Sequence, residues 1–77
     1  MKEIFFYTRP SCHLCEEAKG IVQLVQEELD LAVHECNIDE CEEWTERYGM
    51  MIPVVEYKRE IIQYGRIDYP ALKKKLK

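Results

Sequence analysis

Residues 3–15 read E-I-F-F-Y-T-R-P-S-C-H-L-C, and the order of residue types in this stretch decides the fold. The aromatic and β-branched run Glu3–Thr8 predicts a buried strand, which Pro10 ends. Ser11 is a suitable N-cap for a helix that begins at the next residue. One helical face of that segment is apolar, with Leu14, Ala18, Ile21, Val22, Val25 and Leu29 at the required spacing. The stretch therefore predicts a strand that leads directly into a long amphipathic helix.

The rest of the chain continues the alternation of strands and helices. It is predicted to contain a strand at Leu31–Ile38, a helix at Glu40–Tyr48, a strand beginning with residues 52–55, a strand at Glu60–Tyr64 and a C-terminal helix after Asp68. Asp39 and Asp68 are the expected N-caps, and Gly49 fits the left-handed position that often ends a helix. The last two strands meet in a tight turn at Lys58-Arg59, which lacks the usual Asn-Gly pair.

This order of elements, βαβαββα, defines the expected architecture of a single domain over residues 1–77. The β-α-β half requires a parallel strand pair with a right-handed crossover. The later strand pair adds an antiparallel hairpin. We therefore expect an α/β fold in which a mixed four-stranded sheet carries helices on both faces.

Composition excludes several classes of function. The chain has 77 residues and a net charge of −4, which argues against nucleic acid as the main partner. No apolar run approaches the roughly 20 residues of a membrane-spanning helix, and the run Ile4–Tyr7 is too short for a signal peptide. We therefore expect no membrane partner and a cytoplasmic location.

The candidate reactive residues are four cysteines: Cys12, Cys15, Cys36 and Cys41. Cys12 and Cys15, three residues apart in the first turn of the predicted helix, lie on one face and can close a disulfide. The helix dipole favours a thiolate at Cys12, which is the nucleophile, whereas Cys15 lies one turn deeper and can resolve a mixed disulfide. A zinc or iron–sulfur site that recruits the other two cysteines is the alternative, although their positions favour small, buried apolar roles.

Three segments carry a resemblance to a known family. T-R-P-S-C-H-L-C, Y-G-M-M-I-P-V-V and Y-G-R-I-D together resemble glutaredoxins, in particular the short bacterial glutaredoxin-like proteins with a C-H-L-C motif. The resemblance covers essentially the whole chain. It implies a thioredoxin fold with sheet order 4-3-1-2 and strand 3 antiparallel, and a cis peptide bond before Pro53. It also implies that the backbone of Ile52 pairs with an extended glutathione or peptide substrate.

The resemblance also implies a function: a thiol–disulfide oxidoreductase that acts in electron transport and cell redox homeostasis, with Cys12 and Cys15 as its catalytic residues. His13 and Leu14 replace the Pro-Tyr of typical glutathione-using members, and one glycine, Gly65, stands where they carry two. The substrate is therefore glutathione or a protein disulfide, and the electron donor is glutathione or a reductase. The expected substrate-binding residues are Arg9, His13, Ile52, Pro53, Gly65 and Asp68.

The remaining expectations concern ligands, assembly and the aromatic residues. We expect a monomer with no bound cofactor or metal, in which glutathione can serve as a co-substrate. His13 either favours the Cys12 thiolate or points to solvent, and Arg9 either steers an anionic substrate or hydrates its loop. His34 is expected to be a strand residue without chemistry. Phe5, Phe6, Trp44 and Tyr48 are expected in the core, and Tyr7 and Tyr64 at the rim of the substrate groove.

Overall fold

A computed structural model describes residues 1–77. Four strands and three helices follow one another in the predicted order, with a single 3₁₀ turn before the second helix. The elements are β1 (Glu3–Thr8), α1 (His13–Leu29), β2 (Ala32–Asn37), the 3₁₀ turn (Ile38–Glu40), α2 (Glu42–Tyr48), β3 (Val54–Tyr57), β4 (Glu60–Tyr64) and α3 (Tyr69–Leu76). None of the three helices combines the length and apolar character required to span a bilayer.

The strands form one mixed sheet in the order β2-β1-β3-β4, which confirms the expected sheet order. β1 pairs in parallel with β2 and antiparallel with β3, and β3 continues into β4 through a hairpin. β3 is therefore the strand that runs against the other three. In the register of β1 and β3, Tyr7 lies opposite Val54, so the carboxyl end of β1 adjoins the segment that precedes β3.

Two apolar clusters hold the helices on opposite faces of the sheet. Residues of the larger cluster join α1 and α3 to one face: Ile4, Phe6, Ala18, Val22, Val25, Leu31, Val55, Ile67, Leu72 and Leu76. The smaller cluster joins α2 to the other face and consists of Tyr7, Ile38, Tyr48 and Val54. Because side chains alternate along a strand, neighbouring residues of β1 and β3 serve different clusters.

The second helix ends at Tyr48 as predicted, but it begins later than predicted and the glycine after it has a different conformation. The Asn37 side chain accepts the Asp39 N–H at 2.9 Å and caps the 3₁₀ turn, and α2 starts only after the extended residue Cys41. Gly49 is right-handed, with φ −54° and ψ −33°, so the left-handed assignment was wrong. Glycine is required there for space, since a Cβ at Gly49 would lie 2.5 Å from the Thr45 carbonyl oxygen.

The aromatic residues of β1 are distributed differently from the prediction. Phe5, expected in the core, is 40% exposed and stacks on the His34 ring at a centroid distance of 4.9 Å. Tyr7, expected at the rim, is buried and stacks on Tyr48 at 4.2 Å. Both side chains lie on the same face of the sheet. The helix α2 is only seven residues long and covers that face only at the carboxyl end of β1. Phe6 and Tyr48 are buried as expected.

Candidate functional site

Cys12 and Cys15 form a disulfide at the start of α1, with their Cα atoms 5.1 Å apart. Cys12, rather than the predicted Ser11, is the N-cap: its backbone is extended and its Sγ accepts the Cys15 N–H at 3.2 Å. Ser11 has φ 60° and turns the chain in the left-handed region instead. The pair therefore lies at the positive end of a 17-residue helix that follows the central strand β1.

The two sulfur-bearing residues differ in exposure. Cys15 is 4% exposed and packs inward, whereas Cys12 is only partly covered. An incoming disulfide can therefore reach Cys12 but not Cys15. A polar hollow of about 230 Å³ lies beside Cys15 and is lined in part by Lys19 and Glu35, which form an ion pair at 3.5 Å. The buried cysteine thus borders a space that solvent can enter.

The loop before β3 lies at the same end of the sheet as the cysteines, where β1 ends and β3 begins. The peptide bond between Ile52 and Pro53 is cis, as the resemblance implies. The N–H groups of Met51 and Ile52 both donate to the Tyr48 carbonyl, at 2.8 and 3.0 Å. The Gly65 N–H donates to the carbonyls of Met51 and Pro53, at 2.9 and 2.8 Å. The loop is consequently fixed by α2 on one side and by the end of β4 on the other.

Ile52 was expected to pair its backbone with a substrate. Its N–H is already bonded to Tyr48, so its carbonyl is the backbone group that can accept a hydrogen bond from an extended substrate. The position of Ile52 agrees with the expected role, and the role itself stays a prediction.

The start of α3 is capped by the side chain of its N-cap residue. Asp68 is the N-cap, as predicted, and its carboxylate accepts the Ala71 N–H at 3.0 Å. The Asp68 N–H donates to the Gln63 side chain at 3.0 Å, and the Leu72 N–H donates to the Asp68 carbonyl at 2.9 Å. Pro70 has no N–H to offer. The first turn of α3 therefore presents one carboxylate and few free amides.

Arg9 and His13 flank the cysteines without contacting them. The Arg9 Nε donates to the Asp39 carboxylate at 2.8 Å, which ties the loop before α1 to the 3₁₀ turn. The His13 side chain is 85% exposed, and its Nε2 lies 4.0 Å from the Glu17 carboxylate. Of the two roles considered for His13, its position therefore favours the solvent-facing one.

Cys36 and Cys41 are free thiols that lie partly covered. Burial, followed by the carboxylates of Glu40 and Glu56, raises the pKa of the Cys36 thiol and makes it a poor nucleophile. Its Sγ donates to the His34 carbonyl at 3.6 Å. No three histidine, cysteine or carboxylate side chains converge in a geometry that could hold a metal ion.

Sequence reasoning missed a hydrogen-bonded group formed by Tyr7, Tyr48 and Glu56. The Glu56 carboxylate accepts the Tyr48 hydroxyl at 3.1 Å and the Tyr7 hydroxyl at 3.5 Å. Burial, reinforced by this carboxylate, raises the pKa of both tyrosines. Because the Tyr48 carbonyl also accepts the Ile52 N–H, the group supports the proline loop. The available signal in the sequence was that Phe6 and Tyr7 alternate along β1 and so point to opposite faces of the sheet. No sequence pattern indicated a role for Glu56.

The fold and the cysteine pair define a thioredoxin-fold protein whose site fits a redox function. A protein of Nitrosomonas europaea, solved by NMR in solution, is 24% identical and superposes with a TM-score of 0.83 over 99% of this chain and 92% of its own. A protein of X. campestris is 25% identical, with a TM-score of 0.79 over 95% and 93% of the two chains. A thioredoxin of Halobacterium salinarum is 24% identical, with a TM-score of 0.73 over 97% and 71%.

The family follows from the sequence match. A model of the glutaredoxin-like domain (DUF836) matches residues 3–77, and the chain belongs to this family.

Proposed function

We propose that this protein is a thiol–disulfide oxidoreductase that exchanges two electrons through Cys12 and Cys15. The observation that carries the proposal is the disulfide at the N-terminus of α1, in which Cys12 is accessible and Cys15 is 4% exposed. This asymmetry separates a sulfur that can attack from one that can only resolve. The ability of these two residues to form a bond supplies a stable oxidised state for the cycle.

The reaction starts from the reduced protein. At Cys12, the helix dipole and the Cys15 N–H favour a thiolate, which is the attacking species. This thiolate attacks one sulfur of a substrate disulfide, so a Cys12–substrate disulfide forms and the other substrate sulfur leaves as a thiolate that takes up a proton.

Cys15 completes the cycle. It loses its proton and attacks Cys12 Sγ, which forms the intramolecular disulfide and releases the second substrate sulfur as a thiol. Two electrons have then passed from the protein to the substrate. An external thiol donor, either glutathione or a dithiol reductase, must reduce the pair again.

The residues around the pair have separate proposed roles. The Ile52 carbonyl is proposed to pair with the substrate backbone, and Pro53 to hold that carbonyl in place. Gly65 fixes the proline loop through its two hydrogen bonds. Asp68, Arg9 and His13 lie at the same end of the sheet and stay predicted substrate contacts.

The wider setting of the activity is also proposed. We place the protein in the cytoplasm, in electron transfer that maintains the thiol balance of the cell. Two unpaired cysteines, Cys36 and Cys41, agree with a compartment that keeps thiols reduced.

The test is the fate of single cysteine variants mixed with hydroxyethyl disulfide and followed by mass spectrometry after acid quench. Cys12→Ser is expected to abolish reduction, and Cys15→Ser to accumulate a mixed disulfide on Cys12. Cys41→Ser is the matched control, since Cys41 caps α2 without a side-chain hydrogen bond, and it should behave as the wild type. Turnover that survives Cys12→Ser would overturn the proposal. A stoichiometric metal content, lost with Cys12, would favour the metal-binding alternative.

A further inference from the structure

A second recognition element lies next to the cysteine pair. A groove of about 200 Å³ runs between α1 and the loop that joins β4 to α3. Its floor is apolar and consists of Leu14, Ala18, Ile21 and Ile67, and its two rims carry Glu17 and Arg66. Neither the cysteine chemistry nor the proline loop uses this surface.

The groove begins at the redox motif itself. Leu14 stands between the two cysteines in the sequence, and Ala18 and Ile21 continue from it along one stripe of the helix. From Leu14 to Ile21 the groove follows α1 for about 10 Å, at 1.5 Å per residue. An extended peptide covers that length in about three residues. A side chain within three residues of a captured cysteine can therefore reach the groove.

The groove is left open in this chain. Leu14 is 38% exposed, whereas Ala18, one turn along the same stripe, is 2% exposed. The Arg66 guanidinium forms no ion pair, unlike Arg9, which is bonded to Asp39. An unpaired cation beside an apolar floor suits a peptide that places an apolar side chain in the groove and a backbone carbonyl against Arg66, since Glu17 on the same groove would repel an acidic side chain.

A small dicarboxylate such as glutathione finds fewer partners at this end of the molecule. It has little apolar surface and is held by cations and free backbone N–H groups. The N–H groups of Gly65, Asp68, Ala71 and Leu72 are all bonded internally, and the Asp68 carboxylate occupies the start of α3. A glutathione carboxylate placed there would be repelled by Asp68, which could pair only with the α-ammonium group of glutathione.

We infer that the preferred substrate is a polypeptide disulfide with an apolar side chain within three residues of the attacked cysteine, and that the groove formed by Leu14, Ala18, Ile21 and Ile67 binds this side chain. The inference rests on the proposed function, because it assigns the substrate of the same cysteine pair. It separates a polypeptide from glutathione as the partner of Cys12.

The experiment compares single-turnover rates of the reduced protein with four disulfides: hydroxyethyl disulfide, glutathione disulfide and the disulfide dimers of two short peptides. The peptides have equal length and charge and differ only in carrying leucine or serine next to the cysteine. We expect the leucine peptide to react about tenfold faster than the serine peptide, the discrimination typical of one apolar side chain in a pocket. Glutathione disulfide should react no faster than the serine peptide.

Two matched variants assign the preference to the groove. Leu14→Ala should reduce the ratio of the two peptide rates several-fold, each rate being divided by the rate of the same variant with hydroxyethyl disulfide. Leu24→Ala, which removes a side chain of the same type and similar exposure from α1 but outside the groove, should leave the ratio intact. Circular dichroism is used to check that both variants are folded.

The outcomes are distinguishable. Equal rates for the two peptides, a preference that survives Leu14→Ala, or a faster reaction with glutathione disulfide than with the leucine peptide would each overturn the inference while the proposed function stands. No reaction with any of the four disulfides, hydroxyethyl disulfide included, would overturn both.

Discussion

The Tyr48 carbonyl accepts the Ile52 N–H at 3.0 Å, so the end of α2 fixes the residue that precedes the cis-proline. The Tyr48 hydroxyl in turn donates to Glu56 on β3 at 3.1 Å. One residue therefore links a helix, a strand and the proline loop. A change at Tyr48 is expected to affect stability and substrate binding together.

Removing the Tyr48 hydroxyl should cost stability. In Tyr48→Phe the ring still fills its buried position, but Glu56 loses its shorter hydrogen bond, so we expect the free energy of unfolding to fall by about 1 kcal/mol. Urea denaturation measures the change. Tyr64→Phe is the matched control, because Tyr64 is 59% exposed and its hydroxyl makes no hydrogen bond within the protein. Equal stability of the two variants would show that the Glu56 contact contributes nothing.

Alkaline pH should destabilise the protein through the same group. Burial and the Glu56 carboxylate raise the pKa of Tyr7 and Tyr48, so the folded state keeps phenolic protons that the unfolded chain loses above pH about 10. This contribution is fully present below that pH and is lost as the pH rises through the folded-state values. The urea midpoint should be lower when it is measured above pH about 10 than below it. This difference should be smaller in a variant with phenylalanine at both positions.

His13 is expected to leave the reactivity of Cys12 unchanged. Its ring is 85% exposed and lies nearest to the Glu17 carboxylate, where water screens its charge. The rate at which iodoacetamide alkylates Cys12, measured against pH in a Cys15→Ser background, should be the same in His13→Ala as with His13 present. A profile displaced to higher pH in His13→Ala would instead assign the imidazole a direct role in favouring the thiolate.

Asp68 should be needed for the stability of α3. Asp68→Ala removes the acceptor of the Ala71 N–H, and loss of such a cap costs about 1 kcal/mol. Asp68→Asn keeps a capping oxygen and should retain most of the stability. These two variants also test the predicted substrate contact. If Asp68→Asn keeps the stability and the single-turnover rate of the wild type, the charge of the Asp68 carboxylate has no part in substrate binding.

Much of the fold and site could be predicted from local patterns. Apolar spacing identified α1, the C-x-x-C spacing identified the cysteine pair, and Asp68 with Pro70 marked the start of α3. The errors arose where tertiary coverage decides burial. Phe5 and Tyr7 share a strand face, yet only Tyr7 lies under the short helix α2. The contact of Glu56 with the tyrosines depends on cross-strand register, which no local pattern in the sequence reports.

Two glycines in helical segments should respond in opposite ways to the same substitution. A Cβ at Gly20 meets nothing within 4 Å, so Gly20→Ala should raise the free energy of unfolding by up to about 1 kcal/mol through the helix propensity of alanine. A Cβ at Gly49 would lie 2.5 Å from the Thr45 carbonyl oxygen, and relieving that overlap requires the end of α2 to shift. Gly49→Ala should therefore destabilise the protein by roughly 1–3 kcal/mol, the range typical of overpacking.

Because the end of α2 also holds Ile52 through Tyr48, the shift caused by Gly49→Ala should extend to the proline loop. We expect its single-turnover rate with a peptide disulfide to fall, while the rate with hydroxyethyl disulfide, which needs no backbone partner, is kept. Gly20→Ala should change neither rate and serves as the control. A Gly49→Ala protein that matches the wild type in urea denaturation and with both substrates would show that the loop is positioned independently of α2.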